Sequence, residues 1–580
     1  MQPEPIPDVG LVIVSCHCCE FTLEECAVKY RLCVLLTLFP LLVHTQTPMG
    51  KDQLSKYAVE RSQQVSAYWQ QGKIQEAVAI LDTLYAIPNI RDIYGAMPGV
   101  LYNLACGHSL LGHKEKSLAY LTEAIREGYS DYEGILKDSD FNNIRTDAGF
   151  ETAVRPLRMA YYRWESPSFS TKFQDDLPET EKIAGLSKVW SEIKYGFAYF
   201  DRVPTIDWDS LFVSNLSTVK NSKSTKDYYR ILQTMCAQLH DGHTRIEVPN
   251  ALFREMYAHP AIQTRLVENK VLIFNVFNDS LEKSGVRPGL EILSVDGIPV
   301  QKYARQYVEP YTSASTRQGQ LTNLYEYYLL CGSKNTSVEL ELADRDGKPF
   351  TRVLSRNYYR FQYYTNIVDF RLLDGNIAYV GINTFSDRKV VAKFDSLFPF
   401  IEQSKGLILD LRENSGGNTD NAYQILGYLV DKPFKIVQGK SRNYNAFNRA
   451  MRKTQQWGDN PSVELPANPS KYYSKPLIVL TSSRTGSSSE DFCVVVRDLK
   501  RGLLLGTPTA GSTGQPLFYG LPGGGAGVVC TIRTFSPDGK EFVGIGIEPD
   551  ITVPQTVPDV RARIDAALST AVSTLSSTQK

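Results

Sequence analysis

The sequence predicts a multidomain chain that ends in an α/β layered unit. Its 580 residues are too many for one hydrophobic core, so three or four domains are expected. Residues 50–160 have helical periodicity, a second helical segment covers 180–250, and residues 255–355 are rich in strand and turn patterns. From 360 to 575, apolar strand-like runs alternate with amphipathic helix-like runs. This alternation is typical of an α/β fold with functional residues in the loops at strand ends.

Composition restricts the class of partner. Lysine and arginine together number 63, as do aspartate and glutamate, so the formal net charge is zero. Because no basic block stands out, neither nucleic acid nor an anionic membrane surface is expected as the main partner. The apolar fraction of 42% is that of an ordinary folded protein without a stable membrane span.

Residues 1–48 are predicted to form a leader. A basic stretch at 29–31 precedes an apolar run at 32–43, and polar residues 44–47 follow. This order is typical of a secretory signal peptide, and the apolar run is too short to span a membrane. An exported protein, periplasmic or extracellular, is therefore expected. A disordered cytoplasmic leader is the alternative, and translation starting at Met49 would delete the signal.

Two segments of the helical region from 50 to 160 are alike. Residues 72–81 (GKIQEAVAIL) and 112–121 (GHKEKSLAYL) lie forty positions apart, with small and apolar residues in phase. Such spacing indicates stacked helix pairs. The segments resemble tetratricopeptide repeats, which implies a surface for a protein partner. A simple spacer is the alternative role.

The β-rich region contains one compact turn–strand–turn string. Residues 284–300 (SGVRPGLEILSVDGIPV) carry a Pro-Gly turn, an apolar strand and an Asp-Gly turn. The string resembles a PDZ domain. That resemblance implies binding of extended peptides by addition of a strand to a sheet edge.

Ser487 is the leading candidate for a nucleophile. It follows the apolar strand-like run 477–480 and precedes a helix-like segment whose apolar residues fall on one face, namely Phe492, Val495, Val496 and Leu499. At such a turn a hydroxyl projects outward, and the helix N-terminus presents unpaired N–H groups to a developing oxyanion. The alternative is a simple helix cap with Glu490 and Asp491 in the first turn.

Two further strings accompany this serine. Residues 410–418 (DLRENSGGN) end a strand in a double glycine, and residues 506–515 (GTPTAGSTGQ) form a later polar loop. With the PDZ-like unit, they resemble the C-terminal-processing and tricorn-type serine peptidases, which have an interphotoreceptor-retinoid-binding-protein-like protease core. The resemblance covers roughly residues 180–555. It implies a ClpP/crotonase-like layered core over 360–575 and a substrate that is a peptide or an unfolded protein segment.

The resemblance assigns roles residue by residue. Ser487 matches the family's nucleophile, the N–H of Ser488 matches one oxyanion donor, and Gly417 or Gly416 matches the other. In the processing-protease branch a lysine acts as general base, but the matching position here is Ser512. No lysine stands between positions 500 and 540, so a Ser–Lys dyad is not expected.

A histidine replaces that lysine in the tricorn-type branch, at the end of an upstream helical segment. Residues 239–244 (LHDGHT) supply His243, whose imidazole could accept the serine proton and return it to the leaving amine. A surface or capping histidine is one alternative. A metal site built from His240, Asp241 and His243 is another, although no metal and no cofactor are expected.

The acid that would orient His243 is not defined by the family pattern. The family's glutamate position is occupied by Val543, and the serine that precedes the family's histidine is replaced by Gly242. Glu548 and Glu541 are the remaining candidates for the acid. A Ser–His pair oriented by backbone or water is the alternative.

Together these features predict an exported serine endopeptidase that cleaves peptides or C-terminal protein segments through an acyl-enzyme. A catalytically degenerate peptide-binding scaffold and an esterase-like acyl hydrolase are the two alternatives.

Overall fold

The computed structural model describes residues 50–92, 96–360 and 366–577. The predicted leader, residues 1–48, lies outside this part, and its signal-like segment therefore stays a prediction. Within the described ranges, every helix is too short or too polar to cross a membrane.

Helices occupy most of the N-terminal region, as predicted. Their bounds are Lys51–Gln70, Ile74–Tyr85, Ala96–Leu110, Lys114–Arg126, Tyr132–Lys137 and Ala148–Trp164. The first two helices and the next two are joined by the same kind of turn, in which Gly72 and Gly112 adopt φ angles of +71° and +76°. Glycine takes this left-handed conformation at little cost. The forty-residue spacing is therefore a repeated helix pair, and its assignment to tetratricopeptide repeats stays a prediction.

The second helical segment packs onto the C-terminal unit. Its helices are Glu179–Gly196, Trp208–Lys220 and Thr225–Ala237. On the last of these, the Tyr229 hydroxyl donates to the Pro522 carbonyl at 2.7 Å and accepts from the Gly525 N–H at 3.0 Å. Because Tyr228 and Tyr229 are fully buried in the same hydrophobic core as the C-terminal sheet, the loop after this helix has a fixed starting point.

The β-rich region forms an antiparallel sheet with its own core. In sheet order its strands are Ile262–Val267, Lys270–Val276, Glu291–Val295, Ser337–Ala343 and Pro349–Ser355, with Ile298–Pro299 beside the third. Inward residues such as Ile273, Leu340 and Leu342 are fully buried with Ala304 of the helix Val300–Tyr307. This unit is separate from the other cores, and its likeness to a PDZ domain stays a prediction.

The predicted α/β alternation of the C-terminal region is confirmed. A six-stranded sheet has the order Ile551–Thr552, Leu503–Gly506, Leu477–Thr481, Gly406–Asp410, Ile377–Ile382 and Val368–Leu373. All neighbours are parallel except the last pair, which is antiparallel. The central strands are buried throughout because helices cover both faces, and this burial explains their continuous apolar runs.

Two helical layers enclose this sheet. One face is covered by Lys389–Gln403, Thr419–Gly427 and Ser488–Asp498, and the other face by Ala566–Ser577. Because the strands are parallel, the loops that follow Asp410, Thr481 and Gly506 emerge at one edge. The three strings recognised in the sequence therefore meet at that edge.

Shorter elements complete the described chain. Three-stranded antiparallel sheets are formed by Arg245–Glu247, Gly525–Cys530 and Pro516–Leu521, and by Gln456–Asn460, Gln438–Asn443 and Ile532–Phe535. A two-stranded ribbon joins Phe434–Lys435 to Glu464–Leu465. The remaining short α-helices of the described residues are Asn250–Met256, Asp279–Lys283, Arg317–Thr322, Ala446–Ala450 and Val557–Ala562.

Helix packing on the sheet can be tested with two phenylalanines of one helix. Phe394 is fully buried and contacts Tyr428 edge to face, whereas Phe400 is 60% exposed. We expect Phe394→Ala to lower the free energy of unfolding of the C-terminal unit by about 3–5 kcal/mol, because it leaves a cavity. Phe400→Ala should change it by less than about 0.5 kcal/mol. Urea midpoints of the two variants measure the difference, and equal shifts would contradict the packing described here.

Candidate active site

Ser487 lies at the turn between the strand Leu477–Thr481 and the helix Ser488–Asp498. Its φ and ψ angles are +53° and −129°, a sparsely populated region for a residue with a side chain. Gly486 and Ser488 are buried, but Ser487 itself is partly exposed. The strained turn thus presents one hydroxyl at the edge of the sheet, as the strand–helix pattern predicts.

The imidazole of His243 lies between two serine hydroxyls. Its Nε2 is 3.1 Å from Ser487 Oγ, and its Nδ1 is 2.7 Å from Ser512 Oγ. A neutral imidazole has one donor and one acceptor nitrogen. If Nδ1 carries the proton and donates to Ser512, Nε2 is left as the acceptor for the Ser487 hydroxyl. The structure therefore brings Ser487 and His243 together and adds Ser512 behind them.

The loop that carries His243 is fixed at both ends. After it, Arg245–Glu247 pairs with Gly525–Cys530 of the C-terminal unit. Before it, the buried carboxylate of Asp241 accepts bonds from Thr244 Oγ1 at 2.7 Å and Ser315 Oγ at 3.1 Å. The alternative metal site is not assembled, because both nitrogens of His243 bond serines and Asp241 is already occupied in building the loop.

Burial controls the protonation of His243. Desolvation by the surrounding protein is the main cause that lowers the pKa of this imidazole to about 4. The negative charge of Asp241 raises the pKa, and the positive charge of Arg245 lowers it by a smaller amount. The ring is therefore neutral at neutral pH. A neutral imidazole is the form that can accept a proton from serine.

The two glycines of the 410–418 string have different roles. Gly416 and Gly417 adopt φ angles of +111° and +141°. A Cβ atom on Gly416 would lie 2.6 Å from Ser487 Cβ, so only glycine allows this approach. The Gly416 N–H is already bonded to Asn414 Oδ1 at 2.9 Å. Within the described residues, the N–H groups of Gly417 and Ser488 have no acceptor, which leaves these two to bind an oxyanion.

Two buried acids fasten the loop that carries Ser512. Glu490 accepts bonds from the N–H groups of Gly511 and Ser512 at 2.7 and 2.8 Å, and from the Thr509 hydroxyl. Its neighbour Asp491 accepts from Thr513 Oγ1 at 2.9 Å. Burial is the main cause that raises the pKa of each carboxyl to about 7. The first turn of the helix Ser488–Asp498 thus holds the 509–513 loop in place.

The structure does not place either predicted acid at His243. Glu541 pairs with Arg533 at 2.7 Å and with Arg202 at 3.5 Å, while Glu548 is exposed. The nitrogen that such an acid would face is bonded to Ser512 instead. The expectation that Glu541 or Glu548 contacts His243 is therefore wrong, and the residue in contact with His243 Nδ1 is Ser512. The only sequence signal for this residue was its position opposite the family's lysine.

Part of the C-terminal region is similar to a known protein family. Residues 376–553 match peptidase family S41. This part of the chain is therefore similar to a family of serine peptidases. The match includes five of the six strands of the sheet, the double glycine and Ser487, whereas the strand Val368–Leu373 and His243 lie outside it.

Two curated relatives and one solved structure illustrate the S41 likeness. The carboxy-terminal-processing protease of Bartonella bacilliformis is 30% identical over 202 residues, covering 34% of this chain and 43% of that protein. The chloroplastic carboxyl-terminal-processing peptidase 2 of Arabidopsis thaliana is 24% identical over 390 residues, covering 62% and 67%. Crystalline mature CPAF shares the fold with a TM-score of 0.53 at 17% identity, over 66% of this chain and 94% of that one. The match with the first relative spans less than half of that protein's length.

Gly416→Ala tests the close approach of Gly416 to Ser487. The added Cβ would meet Ser487 Cβ at 2.6 Å and the Gly486 carbonyl at 2.9 Å, and alanine is strained at this φ angle. We expect the rate at which a fluorophosphonate labels Ser487 to fall by roughly 100-fold or more. Gly458→Ala is the control, since its new Cβ would meet nothing nearer than 3.5 Å. Labelling of Gly416→Ala at the rate of the control would contradict the geometry.

Proposed function

We propose that this chain is a serine peptidase in which Ser487 is the nucleophile and His243 is the general base. The observation that carries the proposal is the 3.1 Å distance between Ser487 Oγ and His243 Nε2. It is within hydrogen-bond reach, the first requirement for proton transfer between the two groups.

The geometry supports an acyl-enzyme mechanism. Ser487 Oγ attacks the carbonyl carbon of the scissile bond while its proton passes to His243 Nε2. The N–H groups of Gly417 and Ser488 bind the oxygen on which negative charge develops. Collapse of the tetrahedral intermediate breaks the C–N bond, and the imidazolium gives its proton to the leaving amine. Water, deprotonated by the same imidazole, then hydrolyses the ester on Ser487.

The choice of histidine as the base rests on what surrounds Ser487. The position matched to the family's lysine carries Ser512, whose hydroxyl bonds His243 rather than Ser487. No lysine occurs from 501 to 539 of the sequence. Among the described residues, His243 is the titratable group in hydrogen-bond contact with Ser487 Oγ. The Ser–His pair therefore replaces a Ser–Lys dyad in our proposal.

A large cleft supports a peptide as the substrate. A cavity of about 840 Å³ borders Thr244, next to His243, and Ser415, next to the double glycine. Its wall includes aromatic residues from the helical segment and the β-rich unit, namely Phe253, Tyr257, Tyr303, Tyr307, Tyr311, Tyr327 and Tyr328. Cavities of this size hold ligands with several bulky groups. Peptides with apolar or aromatic side chains beside the scissile bond fit this wall better than a small ester.

Two finer parts of the proposal rest on the sequence. We infer export from the signal-like pattern of residues 29–47. We infer binding of a protein partner from the paired helices of residues 51–126. The C-terminal end of an unfolded protein is the substrate that we propose from the names of the curated relatives.

Active-site labelling tests the proposed nucleophile and base. We expect the wild type to react with a fluorophosphonate and to hydrolyse an unfolded protein, and Ser487→Ala to do neither. His243→Ala should lower kcat by roughly 10²- to 10⁴-fold, because general-base catalysis is lost. Ser489→Ala is the matched control, since its buried hydroxyl has no partner among the described residues.

The outcomes separate the three candidate functions. A wild type that takes no label would be a peptide-binding scaffold rather than an enzyme. Turnover of esters without turnover of peptides would indicate an acyl hydrolase. Equal labelling of Ser487→Ala and wild type would contradict the assignment of the nucleophile.

The pH profile tests the state of His243. A general base acts in its neutral form, so activity is lost as pH falls through its pKa. Because burial lowers the pKa of His243 to about 4, kcat/KM should change little on its account between pH 7 and about 5 and fall below that. An enzyme whose general base is a histidine of ordinary pKa would lose half of its kcat/KM near pH 6.5. Measurement of kcat/KM from pH 4 to 8 decides this, and an acid limb at 6.5 or above would contradict it.

A further inference from the structure

The Ser–His pair needs a group that holds the imidazole in the productive orientation, and among the described residues a serine rather than a carboxylate occupies that place. We propose that the Ser512 hydroxyl is this positioning residue, and that position 242 is glycine because the hydroxyl fills the space of a side chain there. The inference rests on the proposed function for its catalytic consequence but not for its geometry.

The first support is the contact itself. Ser512 Oγ lies 2.7 Å from His243 Nδ1, and Ser512 is buried. No other acceptor contacts Nδ1 in the part of the chain that the structure describes. By accepting the Nδ1 proton, the hydroxyl leaves Nε2 with a free lone pair directed at Ser487. When Nε2 gains a proton from Ser487, the same oxygen supports the positive charge on the ring, and Ser512 keeps its own proton.

The second support is that Ser512 is held on the same frame as the nucleophile. Its N–H donates to Glu490 at 2.8 Å, and its carbonyl accepts from the Ser487 N–H at 2.8 Å. Glu490 belongs to the helix that begins after Ser487. A side chain anchored in this way can position a catalytic ring accurately, because its backbone moves together with the nucleophile.

The third support is the space above Gly242. A Cβ atom on Gly242 would lie 2.6 Å from Ser512 Oγ and 3.2 Å from Ser512 Cβ. Gly242 is not one of the glycines with positive φ, so its backbone conformation alone would admit a side chain. Space rather than conformation thus favours glycine at this position. A hydroxyl carried by residue 242 and one carried by residue 512 would compete for the same place.

The nearby acids are committed to other contacts. Asp241 binds Thr244 and Ser315 through its two oxygens. The oxygens of Glu490 bind Gly511, Ser512 and Thr509. The two charged residues of the strand that follows His243, Arg245 and Glu247, pair with each other. Among the described residues, the Ser512 hydroxyl is therefore the group placed to orient the ring.

Moving the hydroxyl between two chain positions tests the inference. We expect Ser512→Gly to lower kcat by roughly 10- to 100-fold with little change in KM, because the orientation of the ring is lost while the substrate cleft is intact. Gly242→Ser alone should also lose activity, since its side chain collides with Ser512. The double variant Gly242→Ser/Ser512→Gly should recover at least about tenfold over Ser512→Gly. Recovery cannot come from a merely structural role of Ser512.

Two results would overturn the inference. Wild-type kcat in Ser512→Gly would show that the hydroxyl is dispensable, and a double variant no more active than Ser512→Gly would show that the two positions do not share one site. Ser512→Thr, which keeps the hydroxyl, should retain more activity than Ser512→Gly. All variants are compared by their unfolding midpoints so that a loss of fold is recognised.

A measurement independent of activity separates this inference from the proposed function. The chain contains 7 histidines, so the imidazole nitrogens can be followed by NMR after ¹⁵N-histidine labelling, and His243→Ala assigns the signal. We expect the proton of neutral His243 on Nδ1 in the wild type, and a mixture of tautomers in Ser512→Gly. An unchanged tautomer in Ser512→Gly would contradict the inference even if the peptidase is active. A changed one would support it even if no peptide is cleaved.

Discussion

The buried carboxylate of Glu490 is the constraint on which the site depends. Burying a carboxylate costs several kcal/mol unless hydrogen bonds compensate for the lost water. Three donors from the 509–512 loop do so, and they set the position of that loop over the helix Ser488–Asp498. The loop in turn determines where Ser512 meets His243, and its carbonyl holds the N–H of Ser487.

A second set of buried charges connects the loops of the proposed active site to the β-rich unit. Glu413, three residues before Gly416, pairs with Arg484, three residues before Ser487, at 3.0 Å. Glu413 also pairs at 2.6 Å with Arg265 of the β-rich sheet. Because partly buried ion pairs are costly to break singly, the loop of residues 410–418 and the turn at Ser487 keep a defined position relative to that sheet.

The sequence predicted the elements that have local signals. Continuous apolar runs identified the buried parallel strands, and the strand–helix boundary identified Ser487. Family resemblance pointed to His243 and Gly417. The partner of His243 Nδ1 could not be predicted in this way, because it depends on a loop 269 residues away.

The incorrect expectation for Glu541 and Glu548 has a physical reason. Most catalytic histidines are oriented by a carboxylate, and this general pattern made the two glutamates the expected partners of His243. Glu541 instead lies between two arginines, and Val543 is buried in the core where the family carries its acid. Neither arrangement can be deduced from spacing along the chain, since both depend on which side chains the fold brings together.

The close approach of the Ser512 side chain to Gly242 also affects how such proteins are classified. In the proposed arrangement, the oxygen that orients the histidine can be supplied by residue 242 or by residue 512. A sequence alignment of this chain would then record a missing serine at position 242 and a missing lysine at position 512. A classification based on residue identity at each aligned position would then place this chain among the inactive peptidases. Superposition of atoms would count it among the complete ones. Searches for working members among divergent peptidases should therefore compare the locations of oxygen and nitrogen atoms rather than residue names.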